Sequence, residues 1–133
     1  MVNAITIALS GLTSATQRLN ASASNIANAS TSGSLEPGGQ APYTPLTTQS
    51  RAQGDTGGVL TDVVPRNNAI STAYAPDSPF ANSKGYIGVP NVDLAEEAVN
   101  MKLAQLSYKA NLSTIKVQKQ IFDELLQTVD KKA

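Results

Sequence analysis

Proline and glycine are confined to the middle of this 133-residue chain, and that distribution restricts its fold more than any other feature. All seven prolines lie between Pro37 and Pro90, and eight of the nine glycines lie between Gly33 and Gly88. Because proline breaks helices and glycine weakens them, a long helix is possible only before and after this region. The sequence therefore predicts a mainly α protein with two long terminal helices. Its three segments are 1–32, 33–89 and 90–133.

The N-terminal segment carries one narrow apolar stripe. Its members follow one another in steps of three and four residues, the spacing of one helix face: Ile5, Leu9, Leu12, Thr16, Leu19, Ala23 and Ile26. Arg18 is the only charged side chain between residues 1 and 35. The Ser, Thr, Asn and Gln of the polar face are mediocre helix formers, so we expect the helix to be marginal alone and ordered when protein surrounds it. We expect Asn25 and Asn28 to fix its end through local hydrogen bonds.

An apolar residue recurs every seven positions through the C-terminal segment, as in a helix with a coiled-coil seam. The series is Leu94, Met101, Tyr108, Ile115, Phe122 and Val129, widened by Ala98, Leu112 and Leu126. A second stripe on another face consists of Val99, Leu103, Leu106, Ala110 and Val117. The pattern predicts one helix of about 36 residues. A helix with two apolar faces needs more than one neighbour, so coiled-coil-like packing within a larger helical assembly is expected.

Charged groups of the C-terminal segment have two interpretations each. Lys102, Lys109 and Lys116 form a basic edge beside the main stripe, either a solvated face or a set of partners for acidic groups of adjacent subunits. Asp93 is a plausible N-cap, and Glu96 and Glu97 fit the acidic first turn of a helix. The alternative, a carboxylate pair in a cell-wall hydrolase, would lack a supporting His or Cys.

The middle segment, 33–89, is predicted to be extended and partly β. Stretches 43–48 and 59–64 favour β-structure, and the Gly and Pro residues of the segment favour turns. We expect this segment to have little core of its own and to be ordered partly by contacts with partners.

Composition excludes most enzyme chemistry. The chain has no His, no Cys and no Trp, which removes disulfides, thiolate or imidazole metal sites, cysteine nucleophiles and His-based acid–base catalysis. We expect no enzyme activity, cofactor or small-molecule substrate. Ten basic residues balance ten acidic ones, which disfavours nucleic-acid binding. No apolar run approaches the roughly 20 residues of a membrane span, and residues 1–12 do not resemble a secretory signal, so export would need a dedicated apparatus.

Two sequence clusters are specific. The first closes the N-terminal helix and contains Asn25, Asn28 and Thr31, and the second is the run from Gly85 and Tyr86 to Pro90, Asn91 and Val92. Further along, Ser107-Tyr108-Lys109-Ala110-Asn111 completes the set. At these residues the chain resembles the bacterial flagellar basal-body rod proteins, and the second cluster with Tyr108 and Asn111 is most similar to the proximal-rod type. The resemblance spans nearly the whole chain.

This resemblance implies a structural role in the proximal rod of the basal body, in the periplasmic space. It implies synthesis in the cytoplasm, export by the flagellar type III apparatus without a cleaved signal, and polymerisation through the terminal helices to transmit torque. The expected partners are copies of the chain, other rod proteins, the export apparatus and the membrane-ring or export-gate adaptor at the rod base. The expected assembly interface comprises Ile5, Leu9, Leu12, Leu19, Ile26, Val99, Met101, Leu106, Tyr108, Ile115, Phe122 and Leu126. The alternatives are another rod or adaptor component, and a secreted coiled-coil binding module.

Overall fold

A computed structural model describes residues 2–54 and 57–130 of the chain. Along the chain, one helix precedes four short strands and a second helix follows them, in agreement with the predicted mainly α class. The elements are α1 (Val2–Ala27), β1 (Leu46–Ala52), β2 (Val59–Pro65), β3 (Ile70–Tyr74), β4 (Tyr86–Pro90) and α2 (Leu94–Asp130). The length of α2, 37 residues, confirms the long C-terminal helix and corresponds to about 55 Å.

Helix α1 buries its small residues. The buried positions share a face that differs from the predicted apolar stripe: Ala8, Ser14, Ala15, Ala21, Ser22 and Asn25. Side chains of this size let α2 and the first β-hairpin approach the helix closely. Helix α1 thus packs through its Ala and Ser face, whereas most of its larger apolar side chains point elsewhere, and the expectation that protein surrounds it stays a prediction.

The two helices are antiparallel neighbours. Asn25 of α1 donates a hydrogen bond to Glu97 of α2, and a Cβ at Gly11 would lie 2.5 Å from Asn111 Oδ1. Residues 11 and 25 are as far apart in sequence as residues 97 and 111, so both helices advance by the same axial length between these two contacts. The beginning of α1 is then level with about residue 120 of α2, and the rest of α2 extends beyond it by about 15 Å.

The first hairpin packs against α1, and hydrogen bonds to serine hydroxyl groups of α1 hold it there. Strands β1 and β2 pair antiparallel, with Leu46 opposite Pro65 and Ala52 opposite Val59. Thr61 Oγ1 donates to Ser14 Oγ at 2.7 Å, and the Val59 amide donates to Ser10 Oγ at 3.0 Å. The polar side chains that weaken α1 in isolation thus hold a neighbouring strand. Strand β2 begins at the predicted position, whereas β1 begins three residues after the start of the predicted stretch 43–48 and ends four residues after its end.

The second hairpin was not predicted from the sequence. Strands β3 and β4 pair antiparallel, with Ile70 opposite Pro90 and Tyr74 opposite Tyr86. Both strands are only five residues long, and glycine and proline within β4 weaken the strand pattern. Among the described residues the sheets are both two-stranded and share no strand, so the middle segment is two ordered hairpins and not one extended run.

The start of α2 has the predicted cap. Asp93 Oδ1 accepts hydrogen bonds from the amides of Ala95, at 2.8 Å, and Glu96, at 3.2 Å. These contacts satisfy amides that the helix itself leaves free. Glu97, which the sequence grouped with this acidic first turn, is instead directed into the molecule.

Candidate assembly interface

Asn25 is the centre of a buried polar cluster that joins α1 to the rest of the chain. Its side chain is 1% exposed, and its amide makes four hydrogen bonds. Nδ2 donates to Leu46 O and to Glu97 Oε1, both at 2.8 Å. Oδ1 accepts from the Leu46 amide at 2.8 Å and from the Tyr43 hydroxyl at 3.0 Å. The expectation of local hydrogen bonds is wrong for Asn25, because all four partners are distant in sequence.

Glu97 brings a charge into this cluster, and Arg66 balances it. The glutamate is 1% exposed, and Arg66 Nη2 donates to its Oε1 at 2.7 Å. The Arg66 amide also donates to Pro45 O at 2.8 Å, so this residue is fixed at both ends. Burial raises the pKa of the Tyr43 hydroxyl above its usual 10, and the negative charge of Glu97 adds to the effect. The cluster therefore links α1, both ends of the first hairpin and α2.

Asn28 closes α1 as predicted, by a local hydrogen bond, and Thr31 adds a second local bond. Asn28 Nδ2 donates to Ser24 O at 2.9 Å, and Thr31 Oγ1 donates to Asn28 O at 2.8 Å. The chain then reaches Gly33, whose amide and carbonyl pair with those of Gly88 at 3.0 and 2.9 Å. This bridge connects the exit of α1 to strand β4.

The remaining motif residues shape the second hairpin and the inter-helix contact. Gly85 has a φ of 80°, a conformation that other residues adopt only with strain. Tyr86 packs its ring edge against Tyr74, with centroids 5.5 Å apart. Pro90 is buried at the end of β4, and the Asn91 amide donates to Ala69 O at 2.8 Å. Val92 is half-buried before α2, while Asn111 faces Gly11.

The predicted interface residues of α1 are only partly covered by the rest of the chain. Leu9 is 56% exposed, Ile5 43% and Ile26 37%. Leu12 and Leu19 are half-buried. Because large apolar side chains at this exposure favour removal from water, the outer face of α1 is suited to contact another subunit.

Helix α2 exposes still more apolar surface. Beyond its second turn, Ala104 is the only fully buried residue among those described. Met101 and Ile115 are half-buried against the rest of the chain. The other predicted interface residues of this helix are exposed: Val99, Leu106, Tyr108, Phe122 and Leu126.

The surface of the molecule is too large for a self-sufficient globule. Its accessible area is 8888 Å², whereas a compact monomer of 13.8 kDa exposes about 6,600 Å². The excess, roughly a third, comes with the apolar side chains that both helices direct outward. The core of a single chain is therefore small for its surface.

The sequence did not reveal Glu97, Arg66 and Tyr43 as a set. Glu97 occupies the helix-start position where an acidic residue is ordinarily a surface feature, and Arg66 lies in a turn-rich region. A usable signal is a row of small or polar residues spaced seven apart along the side of α2 that faces α1. Its members are Glu97, Ala104, Asn111 and Gln118. That row matches the small, polar buried face of α1.

Comparisons with known proteins agree with this architecture. Residues 5–33 match the family described as Flagella basal body rod protein, and residues 83–128 match the Flagellar basal body rod FlgEFG protein C-terminal family. Both matched ranges lie on the terminal helices and the motif residues beside them. Within residues 2–54 and 57–130, none of the helices is apolar over a stretch long enough to traverse a bilayer. The class is that of the flagellar axial rod proteins.

Full-length relatives make the assignment specific. The Flagellar basal-body rod protein FlgC of Escherichia coli O6:H1 is 39% identical over 125 residues, covering 90% of each chain. The protein of the same name from Yersinia enterocolitica is also 39% identical, over 91% of this chain and 92% of the relative. That from Buchnera aphidicola subsp. Acyrthosiphon pisum is 30% identical over 95% and 96%. The chain belongs to this FlgC family of structural rod subunits.

Proposed function

We propose that the chain is a subunit of the proximal rod of the flagellar basal body and polymerises through its terminal helices. Segments 1–32 and 90–133 supply the assembly surfaces, and segment 33–89 faces outward or contacts neighbouring subunits. The observation that carries the proposal is the exposed apolar surface of both helices, Leu9 and Leu106 being 56% and 65% exposed. Burial of that surface between subunits supplies the free energy of assembly.

Export through the flagellar type III apparatus as an unfolded or barely folded chain is part of the proposal. Helix α1 has a single charged side chain and many Ser, Thr and Asn residues, so its order depends on α2 and the first hairpin. The low stability of α1 before it packs against these elements supports passage through a narrow channel. Periplasmic localisation follows from this route.

Torque transmission requires that a subunit move as one body. The Asn25 cluster supports this role because it joins both helices and the first hairpin through saturated, buried hydrogen bonds. Such networks resist rearrangement, since breaking one bond leaves another buried group without a partner.

The proposal is tested with an exposed apolar residue and a matched polar control on the same helix. Leu9→Asp is expected to leave the chain exportable but to remove it from purified basal bodies and abolish swimming, because a carboxylate in an apolar contact is costly. Asn20→Asp, at an exposed polar position of α1, is the control and should support swimming. Secreted and rod-incorporated chain are measured by immunoblot. Normal incorporation of the Leu9 variant would contradict the proposed role of α1.

A further inference from the structure

The backbone of the second hairpin alternates between groups that face the partner strand and groups that face outward. In an antiparallel pair, only every second residue exchanges hydrogen bonds with the opposite strand. The Asn91 amide donates to Ala69 O at 2.8 Å, and the Ala75 amide donates to Gly85 O at 2.9 Å. Both pairs are odd-numbered and continue the register of β3 with β4. The N–H and C=O groups of the even-numbered residues therefore point away from the partner strand.

The chain itself occupies the outer edge of β4. The Tyr86 amide donates to Asn82 Oδ1 at 2.9 Å, and its carbonyl accepts from the Asn82 amide at 2.9 Å. Gly88 forms its bridge with Gly33 on this same edge. Pro90 has no N–H, and its carbonyl accepts from the amide two positions later at 3.1 Å. All outward backbone groups of β4 are thus in use.

The outer edge of β3 is open, in contrast to that of β4. Its outward residues are Ile70, Thr72 and Tyr74, and none of their N–H and C=O groups has a hydrogen-bond partner within residues 2–54 and 57–130. Thr72 and Tyr74 are exposed, and Ile70 is half-buried. In the described part of the chain, β3 has no extensive contact with any helix or strand other than β4. This edge, here called the open edge, is accessible to another chain.

The open edge lacks the features that keep exposed strands from pairing. Proteins protect such edges with proline, charged side chains or bulges. Strand β3 consists of Ile, Ser, Thr, Ala and Tyr, and its register with β4 contains no bulge. The strands of the first hairpin differ, because β1 carries Arg51 and β2 carries Asp62 and Pro65. Protection is therefore missing from β3 in particular.

The geometry of the open edge selects an extended backbone as its partner. Outward residues recur every second position, about 6.8 Å apart, and each presents one donor and one acceptor. A helix, which rises only about 1.5 Å per residue and uses its own backbone groups internally, cannot match this repeat. The side chains of Ile70, Thr72 and Tyr74 share one face, where Tyr74 is 69% exposed and packs its ring against Tyr86. An incoming strand gains most from uncharged, β-branched or aromatic residues beside them.

We propose that the open edge of β3 accepts an uncharged, extended segment of a neighbouring rod subunit as an added strand. The second hairpin then becomes part of a three-stranded sheet shared by two subunits. The incoming segment differs from β3 of a second copy, because a contact that uses the open edge of both copies ends with a dimer and cannot continue along a rod. This contact rests on the proposed function and assigns a partner to the middle segment.

Thr72→Pro tests the open edge and leaves the bonds between β3 and β4 in place. The Thr72 N–H faces outward, so proline removes a bond only to the incoming strand and places its ring in the path of that strand. Incorporation of the full chain into purified basal bodies should fall about tenfold. Thr72→Val, which keeps the N–H and a β-branched side chain, is the matched control and should incorporate like the parent. In the free Thr72→Pro chain, hydrogen exchange measured by NMR should show the amides of Ile87 and Val89 as protected as in the parent.

Photo-cross-linking identifies the incoming strand and does not depend on the proline variant. With benzoylphenylalanine in place of Thr72, irradiated basal bodies should yield a cross-link from this chain to an extended segment of an adjacent rod subunit, identified by mass spectrometry. A cross-link to β3 of a second copy, or the absence of a cross-link to any rod subunit, would overturn the proposal.

The two functional claims fail in different ways. If Thr72→Pro keeps an intact hairpin and incorporates normally, while a strain lacking the chain does not swim, this contact is wrong and the rod function stands. If the strain lacking the chain builds complete rods, the rod function itself fails.

Discussion

Asn25 and Glu97, the second 72 positions beyond the first, meet in the interior through a hydrogen bond of 2.8 Å. Each is 1% exposed, and each holds a further partner from the first hairpin region. One amide and one carboxylate thus define how the two terminal helices and the hairpin sit relative to one another. The predictions below begin from this pair.

Removal of the Asn25 amide should destabilise the chain strongly. Asn25→Ala leaves the amide and carbonyl of Leu46, the Tyr43 hydroxyl and Glu97 each short of a partner, so the free energy of unfolding should fall by about 3 kcal/mol. Urea unfolding of the purified chain, followed by far-ultraviolet circular dichroism, measures the change. Asn20→Ala, at an exposed position of the same helix, should stay within about 0.5 kcal/mol of the parent. Equal effects of the two variants would contradict the role of Asn25.

The buried ion pair should couple more strongly than a surface pair of similar length. Arg66 and Glu97 are 22% and 1% exposed, whereas Arg51 and Asp62, which are 2.6 Å apart, are 65% and 49% exposed. A double-mutant cycle with Arg66→Met and Glu97→Gln should give a coupling free energy of about 1–3 kcal/mol. The corresponding cycle for Arg51 and Asp62 should give less than about 1 kcal/mol. A reversed order would show that the cluster is not a determinant of stability.

The Tyr43 hydroxyl should make the fold sensitive to alkali. Its pKa is raised in the folded chain, so the unfolded chain loses this proton first as the pH rises. The stability that Tyr43 contributes is therefore complete below about pH 10 and is lost as the pH rises above that value. Urea midpoints between pH 8 and 11 should show this decline, and Tyr43→Phe should flatten it. Tyr74→Phe, which removes a hydroxyl from an exposed ring, should leave the decline in place.

Gly33 should not tolerate a side chain. A Cβ there would collide with the backbone of Ala41 and Pro42, and moving that backbone away would disrupt the hydrogen bond from the Ser34 amide to Gln40 O. We expect Gly33→Ala to lower the free energy of unfolding by about 3 kcal/mol or more. In Gly38→Ala the new Cβ would have no atom within 4 Å. The only expected loss of stability, about 1 kcal/mol, comes from the strain of a side chain at a φ of 85°. Thermal unfolding of both variants provides the comparison, and similar losses would contradict the close approach at Gly33.

Sequence reasoning succeeded where the pattern is periodic and local. The heptads from Leu94 to Val129 predicted α2, Asp93 with Glu96 three residues later predicted its cap, and Asn28 was correctly expected to close α1. Sequence reasoning failed where the residues in contact are far apart in the sequence. The buried face of α1 consists mainly of Ala and Ser, which carry no strong apolar signal, and the stripe that does carry one remains largely exposed.

The second hairpin and the polar cluster were missed for a related reason. Strand β4 contains Gly88 and Pro90, residues that ordinarily weaken a strand, and its order depends on Gly33 and on β3. Glu97 and Arg66 look like ordinary surface charges until the fold brings them together. The assembly residues on the outer faces of both helices stay a prediction, since their partners lie outside the chain.

The most direct test of the central claim is electron microscopy of basal bodies purified from a strain that lacks this chain. The same strain with the chain restored is examined beside it. A proximal-rod subunit predicts membrane rings without a rod in the first sample and complete rods in the second. Complete rods in the absence of the chain would contradict the account.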